Sequence, residues 1–275
     1  MRKIFIVLLC LNGFYFILKG QTLSKETIII ETALGTMKLK LYEETPLHKA
    51  NFIKLVKQKF FDSLMFHRVI NNFMIQGGDN LSRHAKAGDS LGHGDIGYTI
   101  PAEFNTKLIH KKGRLAAARE SDDINPNKES SASQFYIVMG KKRTMDELKK
   151  YEDRINQTHY TNCARTYMKT NEGIRLKLNY NRLKTENKID SAALINALIE
   201  EKIKTVHLKT PEYKFNTQQI EIYTSIGGTP HLDGTYTVFG EVIEGIEIID
   251  KIAAVKTDKK DRPIDDLRMK VKLIE

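Results

Sequence analysis

The chain has 275 residues, of which 41% are apolar and 28% are charged. This apolar content is enough to bury a core, so the composition excludes an intrinsically disordered protein. The formal net charge is +10, and its excess lies in residues 1–20 and in residues 141–217, where 17 basic residues are mixed with 10 acidic ones. Such mixing is typical of a solvated helical face, so we favour that interpretation and expect no nucleic-acid binding, which stays the alternative.

Residues 1–20 have the pattern of a secretory leader. Two basic residues precede the apolar run IFIVLLCLNGFYFIL, and a Lys-Gly pair follows it. We predict a signal peptide cleaved near Gly20, so that the mature protein is exported to a periplasmic or other extracytoplasmic site without stable membrane insertion. An uncleaved anchor is an alternative, although the run is shorter than the roughly 20 residues that span a bilayer. Lipidation of Cys10 is a weaker alternative, because Leu9 precedes it where a small residue is expected.

The cysteine and histidine patterns give no metal or cofactor site. Cys10 leaves with a cleaved leader, so Cys163 remains alone and no internal disulfide can form. We interpret Cys163 as an incidental thiol, because no histidine that could activate it stands out around it. His84 and His93 lie in a glycine-containing loop without cysteine partners or metal-ligand spacing. We therefore predict neither a metal nor a cofactor.

Strand-like segments flank the middle of the chain. Residues 27–44 alternate apolar and polar around a Leu-Gly turn, which predicts a β-hairpin. An amphipathic helix follows, with Thr45 as its N-cap and Pro46 at its first position. Then come short strand-like runs, a helix IEIIDKIAAV and a last strand MKVKLIE; the runs are residues 65–69, 73–77, 114–119, 134–139 and 237–244. This order predicts a mainly β protein, a closed antiparallel barrel with two helices.

Residues 141–217 interrupt the strands with helical periodicity. The runs MDELKKYEDRI and DSAALINALIEEKIKTV have apolar residues at helical spacing, with Asp190 or Ser191 as the cap of the second helix. We predict a helical insertion that divides the barrel into residues 21–140 and 218–275. We expect the insertion to pack an apolar face on the barrel and to offer a basic face to client chains, with a passive decoration as the alternative.

Three ordered motifs then identify a family resemblance. They are FHRVINNFMIQGGD at residues 66–79, SQFYIV at 133–138 and HLDGTYTVFGEV at 231–242. At these motifs the chain resembles the cyclophilin family of peptidyl-prolyl isomerases, over residues 26–140 and 218–275. The resemblance implies an eight-stranded antiparallel barrel capped by two helices, with the active groove on its outer face. It also implies peptidyl-prolyl cis-trans isomerase, or rotamase, activity in the folding of exported proteins.

The resemblance assigns catalysis to Arg68, with Gln76 orienting it. Amide resonance gives an X-Pro bond a rotation barrier of about 18–20 kcal/mol, and no bond has to break. Twisting returns a lone pair to the prolyl nitrogen, so a guanidinium can donate a hydrogen bond that the planar amide cannot accept. The resemblance places the peptide on these residues: Phe73, Met74, Ala118, Arg119, Gln134, Tyr136, His231, Leu232 and Tyr236.

Each position also has a structural interpretation. Apolar residues such as Phe73 and Met74 are often ordinary core residues. Arg68, by contrast, is expected among buried neighbours, where a structural role would need an acid that the local sequence does not offer. His67 is the next residue on the strand, so we expect its side chain to face the other way. These considerations favour a catalytic site.

Departures from the family pattern affect specificity more than activity. His231 stands where many members have Trp, Tyr136 where they have Phe, Tyr236 where they have His and Arg119 where they have Asn. We expect cyclosporin to bind more weakly than to members with Trp, because an imidazole offers less apolar area than an indole. We expect a monomer that acts on proline-containing polypeptides. The alternative is a non-catalytic proline-peptide binder or chaperone.

Overall fold

The computed structural model describes residues 26–274, so the leader, its cleavage and Cys10 lie outside the described residues. The strands are β1 Thr27–Thr32, β2 Gly35–Leu41, β3 Phe66–Ile70, β4 Met74–Gly77, β5 Thr99–Ile100, β6 Arg114–Ala117, β7 Ser130–Ser131, β8 Phe135–Val138, β9 Val238–Glu244 and β10 Met269–Ile274. The α-helices are α1 Pro46–Lys57, α2 Met145–Tyr167, α3 Asn171–Thr185, α4 Ile189–His207, α5 Thr217–Ser225 and α6 Glu247–Ala253. Within residues 26–274, no helix is long and apolar enough to cross a membrane.

Eight strands form one antiparallel sheet in the order β10-β1-β2-β9-β6-β8-β4-β3, and β5 pairs with β7 in a small second sheet. The predicted eight-stranded antiparallel sheet is thus present, but its closure into a barrel is not confirmed. The edge strands β3 and β10 approach each other at one isolated bridge, between Met65 and Arg268. Two backbone hydrogen bonds flank this bridge, from Phe66 to Leu267 at 2.9 Å and from Met269 to Leu64 at 2.8 Å.

The main core lies on the inner face of this sheet. Alternate residues of β1 and β2, such as Ile28 and Leu39, are fully buried, as the period of two in a strand requires. Helix α1 adds Phe52 and helix α6 adds Ile249 to the same core. Each such apolar side chain contributes roughly 1.5–3 kcal/mol on burial. Both helices predicted outside the insertion are therefore present and packed on the sheet.

Helix α1 begins where the sequence predicts but is capped by a distant residue. Thr45 occupies the N-cap position and is buried, yet its side chain makes no capping hydrogen bond. The carboxylate of Glu103 accepts instead from the backbone N–H groups of Leu47 at 3.1 Å and His48 at 3.0 Å. An anion at a helix N-terminus also interacts favourably with the helix dipole. Glu103 thus fixes α1 to the loop that precedes β6.

Gly78, the second glycine of the first motif, occupies a position where a side chain would not fit. Gly78 has φ of +90°, and a Cβ atom there would overlap the carbonyl of Ser133. A side chain at this position would therefore be both strained and too large. The close approach brings the end of β4 against the residues that precede β8.

The insertion contains more helix than the sequence predicts. Helix α2 begins at a capping box, in which Thr144 accepts from the Glu147 N–H and the Glu147 side chain accepts from the Thr144 N–H. Helix α4 begins at Ile189, after Lys188, so the prediction of Asp190 or Ser191 as its cap was wrong. Helix α3 was not predicted, because its few apolar residues are separated by charged ones.

The chain leaves the sheet before α2 and returns to it after α5 at the same place. Gly228 donates its N–H to the carbonyl of Lys141 at 3.0 Å, and it also bridges to Lys111. Helix α5 lies inside this closed excursion and packs with α2 through a cluster of Ile109, Leu148, Phe215 and Tyr223. The excursion therefore has its own small core at its base.

Helices α3 and α4 extend from this base as an arm. Tyr167 at the end of α2 packs with Ile199 and Ile203 of α4. Lys202 of α4 lies 3.4 Å from Glu172 of α3. Helix α4 thus runs back along α3 and then along the last turns of α2.

Candidate active site

A β-bulge in β3 decides which side chains reach the outer face of the sheet. Phe66 pairs with Gly77, but Arg68 pairs with Gln76, so the register shifts by one residue at His67. Phe66 and Val69 can then both face the inner core. Arg68 and Gln76 lie directly across from each other on the outer face. Bulges are known to re-aim side chains near functional sites in this way.

The surroundings of Arg68 differ from the expectation. Its side chain is 44% exposed, not buried, and its Nε lies 3.6 Å from Oδ2 of Asp261, whose side chain is 43% exposed. The acid comes from the loop before β10, which the local sequence around Arg68 could not reveal. An ion pair this exposed contributes little stability, so Asp261 orients the guanidinium more than it anchors it.

His67 also corrects an expectation, because it does not point away from Arg68. The bulged His67 is buried, and both side chains line one cavity of about 700 Å³ with the loop of residues 88–93 and residues 258–262. Burial lowers the pKa of His67 from 6.5 to about 4, although the charge of Asp79 opposes this shift. The imidazole is therefore neutral beside the arginine at physiological pH.

Gln76 and Gln134 form an amide pair beside the arginine. Gln76 Nε2 donates to Gln134 Oε1 at 3.1 Å. Gln134 Nε2 in turn donates to the carbonyls of Gly92 and Gly94, both at 3.0 Å. The second glutamine is thus tied to the 92–94 loop, and the first is held across from Arg68.

A second cavity of about 580 Å³ lies on the other side of this amide pair. It is lined by Gln76, Gln134, Tyr98 and Ala118, and by the loop of residues 124–129. The two cavities share Gln76, so a groove runs past the amide pair on both sides of it. A groove of this kind has room for an extended peptide.

An apolar cluster separate from the core covers the outer face of β4, β6, β8 and β9. We call it the outer apolar cluster; it consists of Tyr42, Ile70, Phe73, Met74, Leu108, Ala116, Ala118, Tyr136, Val138, Leu232, Tyr236 and Val238. Met74 and Tyr136 are buried in it, while Phe73 and Leu232 are half-buried at its surface. The structure therefore brings together the apolar residues that the resemblance assigns to the peptide, next to Arg68 and Gln76.

His231 stands at the rim of the outer apolar cluster in a stack of three rings. Its imidazole lies 5.6 Å from the ring of Phe73 on one side and 5.6 Å from Tyr151 of α2 on the other. Burial is the main reason that the pKa of His231 is lowered from 6.5 to about 4, and the positive charge of Arg143 is the second. A neutral, flat imidazole thus forms the middle of the stack, and the insertion supplies the ring on one side of it.

Tyr136 at the floor of the cluster belongs to a buried hydrogen-bond chain. Its hydroxyl lies 2.9 Å from Nε2 of His110, and Nδ1 of His110 lies 2.9 Å from Oδ1 of Asp233. Tyr223 of α5 donates to the other oxygen of Asp233 at 2.5 Å. A carboxylate only accepts, so His110 donates to Asp233 through Nδ1, and its Nε2 accepts from Tyr136. Burial raises the pKa of Tyr136 well above its usual value.

Sequence reasoning missed His110, Asp233 and Tyr223. The available signal was Tyr136 itself, because a buried tyrosine hydroxyl needs a hydrogen-bond partner where the family has Phe. The partners lie far apart in sequence, so no local pattern points to them. Their chain connects the floor of the outer apolar cluster to the base of the insertion.

Ala118 and Arg119 are engaged within the protein. The N–H of Ala118 donates to Gln134 at 3.0 Å, and its carbonyl accepts from Ser131 at 2.8 Å. The backbone N–H of Ala118 is thus used within the protein, while its carbonyl keeps a second lone pair that can accept from a peptide. Arg119 donates to the carbonyl of Thr235 at 2.8 Å and lies 4.5 Å from the ring of Tyr236. Arg119 therefore supports the wall of the groove through Tyr236.

A surface groove with an apolar floor, a guanidinium and a paired amide is suited to binding an extended peptide. The sequence profile of the cyclophilin type peptidyl-prolyl cis-trans isomerase family matches residues 27–161 and 152–272. The chain therefore belongs to this family, and its activity is peptidyl-prolyl cis-trans isomerisation.

Individual relatives agree with this assignment. A Staphylococcus haemolyticus protein named as a peptidyl-prolyl cis-trans isomerase is 27% identical, over 87% of this chain and 86% of the relative. A Streptococcus pyogenes protein named as a bifunctional phosphatase and peptidyl-prolyl cis-trans isomerase is also 27% identical, but this chain spans 37% of its length. The crystal structure of a Cryptosporidium parvum cyclophilin covers 91% of this chain and 98% of its own, with a TM-score of 0.51 and 18% identity. That likeness supports the fold.

Proposed function

We propose that this isomerase uses Arg68 as its transition-state donor, positioned by Gln76, and acts on X-Pro bonds of exported polypeptides. The observation that carries the proposal is the bulge at His67, which sets Arg68 across from Gln76 on the outer face. Phe66 and Val69 are three positions apart, so in a regular strand they would face opposite sides of the sheet. The extra residue His67 lets both reach the core while Arg68 faces the groove. A structural arginine would not need this arrangement.

The proline ring occupies the outer apolar cluster over Met74 and Tyr136, between Phe73 and Leu232. Apolar walls exclude water there, which strengthens a hydrogen bond formed at the edge of the cluster. The guanidinium has five N–H donors in one plane, so an Nε directed at Asp261 still presents others to the twisted prolyl nitrogen. This bond forms fully only when the amide is twisted, so it lowers the barrier instead of tightening substrate binding.

The test is isomerisation of a proline tetrapeptide by the purified chain and by Arg68→Ala. We expect turnover to fall about 10²- to 10³-fold, the usual loss for one transition-state donor. Arg175→Ala, an exposed arginine on α3, is the matched control and should keep full activity. A folded Arg68→Ala protein with normal turnover would refute the role of Arg68. A wild-type chain that binds the peptide without isomerising it would favour the non-catalytic binder.

The extracytoplasmic location is part of the same proposal and rests on residues 1–20. Expression in a secreting bacterium, followed by N-terminal sequencing of the exported chain, should give a new terminus near Gln21. A charged residue in the apolar run, as in Leu8→Lys, should retain the chain inside the cell. Retention of the unaltered chain would contradict the export proposal.

The arm is proposed to offer a basic surface to unfolded clients. Arg175 and Lys177 are exposed on α3. Replacing both residues by Glu reverses their charge. The double variant should slow the assisted refolding of an acidic protein whose folding is limited by proline isomerisation, while tetrapeptide turnover stays the same. The control reverses Lys251 and Lys270, which are exposed on the sheet domain. Equal effects of the two double variants would leave the arm without a client role.

A further inference from the structure

Three side chains that commonly ligate metals meet on the insertion. His159 and Cys163 lie one helical turn apart on α2, and His207 is the last residue of α4. One ligand atom from each lies within 4.8 Å of the other two. This arrangement overturns the sequence-based view that Cys163 has no histidine near it. The signal in the sequence was the spacing of four residues, which puts two side chains on the same face of a helix.

The distances fit a tetrahedral ion after a small adjustment. Zinc bonds of about 2.0–2.1 Å to nitrogen and about 2.3 Å to sulfur require ligand atoms roughly 3.3–3.8 Å apart. With Nδ1 of His159, the nitrogen that faces His207, as its ligand atom, Cys163 Sγ lies 4.0 Å from that nitrogen. The Nδ1 atoms of His159 and His207 lie 2.8 Å apart and share a hydrogen bond. An ion would replace the proton of that bond, so its binding would release protons.

The surroundings keep the three side chains in place but accessible. All three residues are half-buried. The ring of Tyr160 meets His207 edge-on at 5.4 Å, and the two histidine rings lie 4.9 Å apart. These contacts orient His207 toward α2, while the exposed side of the cluster leaves room for an ion to enter and for water as a fourth ligand. Two imidazoles and one thiolate suit zinc better than the hard ions magnesium or calcium.

We propose that His159, Cys163 and His207 form a zinc site that joins the end of α4 to α2, with water in the fourth position. The ion would fix the end of α4, where the chain turns back toward α5 and the sheet. The site lies about two turns along α2 from Tyr151, which stacks on His231. It is separate from Arg68, so its test is independent of the isomerase assay.

The test uses the full chain, stripped of metal with a chelator and titrated with cobalt(II) as a spectroscopic probe. We expect one cobalt per chain, visible absorption of a tetrahedral ion and a near-ultraviolet thiolate-to-cobalt band, with zinc displacing the cobalt. Cys163→Ser should lose the thiolate band, and His207→Gln should bind at least about tenfold more weakly, as changes around zinc sites generally do. Zinc should raise the thermal midpoint of the unaltered chain more than that of His207→Gln.

Two matched variants control for the other cysteine and for an unrelated histidine. Cys10→Ser and His84→Gln should keep both the band and the affinity. A thiolate band that survives Cys163→Ser, or a cobalt affinity that is the same in Cys163→Ser, His207→Gln and the unaltered chain, would overturn the site. Circular dichroism and tetrapeptide turnover establish that each variant is folded. If Cys163→Ser does not fold, the cobalt spectrum of the unaltered chain and the affinity of His207→Gln still decide the question.

Discussion

At the scale of single residues, the floor of the groove shows how a polar atom can be hydrogen-bonded beneath an apolar surface. The residue is Tyr136, whose hydroxyl is hydrogen-bonded to His110 while its ring forms the floor of the outer apolar cluster. The family resemblance predicts the ring but not the hydroxyl. The extra oxygen is compatible with a buried position only because Asp233 sets the tautomer of His110.

Tyr136→Phe should therefore separate stability from activity. The change leaves the accepting nitrogen of His110 buried without a donor, which costs about 1–3 kcal/mol of the free energy of unfolding. Tetrapeptide turnover should change little, since the aromatic ring remains. Urea unfolding and the peptide assay measure the two effects, with Tyr180→Phe on the arm as the control. An unchanged urea midpoint would mean that the hydrogen-bond chain adds no net stability.

His231 makes a pH-dependent contribution to stability. Its pKa is about 4 in the folded protein against 6.5 ordinarily, so the unfolded chain takes up the proton first as the pH falls. The contribution is complete above about pH 6.5 and is lost progressively as the pH falls toward 4. His67 has a similarly lowered pKa and acts over the same range. His231→Phe should reduce this loss without abolishing it.

Urea titrations at several pH values between 7.5 and 4.5 measure this difference. His84→Gln, at an exposed position, should retain the full pH dependence. A His231→Phe protein whose free energy of unfolding falls as steeply as that of the unaltered chain would contradict the prediction. The expected weak binding of cyclosporin depends on the same imidazole, and His231→Trp should strengthen that binding.

At the scale of secondary structure, α2 links the insertion to the groove. Its capping box fixes where it starts, Leu148 anchors it in the cluster around Tyr223, and Tyr151 reaches the rim. These residues lie on successive turns of one helical face. The insertion therefore supports His231 directly, although it supplies none of the residues proposed to act on the prolyl bond.

Tyr151→Ala should weaken peptide binding more than it slows isomerisation. Loss of the ring exposes His231 and loosens its stack with Phe73, so KM should rise severalfold while kcat stays near normal. The pKa of His231, followed by NMR, should move up from about 4 toward 6.5 as burial decreases. Tyr151→Phe keeps the stack and should match the unaltered chain. A fall in kcat with unchanged KM would instead place Tyr151 in the transition-state arrangement.

At the scale of the whole molecule, the parts that the sequence predicts are those encoded locally. Motif order gives the antiparallel sheet, and the pattern of the first motif places Arg68, Phe73, Met74 and Gln76 together. The sequence does not reveal the bulge at His67, because a bulge is a shift in the register between β3 and its partner strand β4. Glu103 at the start of α1 and the metal-ligating trio depend on contacts between distant segments, which no local period encodes.

The position of β3 at the sheet edge predicts how the molecule opens. β3 pairs with β4 alone, and toward β10 it has one bridge and a few backbone hydrogen bonds. Hydrogen exchange should be faster in β3 than in β2, which has strands on both sides. Mass spectrometry of exchanged peptides measures this order, and a bound proline peptide should slow exchange in β3. Equal protection of β3 and β2 would show that the edge is as stable as the interior of the sheet.

The hydrogen bond between Lys141 and Gly228 has a consequence for how such a chain can evolve. The two ends of the helical segment are hydrogen-bonded to each other, so the segment can be present without any strand of the sheet having to move. The entropic cost of closing such an excursion grows only with the logarithm of its length, by about 0.6 kcal/mol for each doubling. The arm of α3 and α4 can therefore change in length without moving a strand, whereas Tyr151 and Tyr223 tie α2 and α5 to the groove. The junction thus leaves the arm free to diverge, while the base of the excursion stays bound to the catalytic groove.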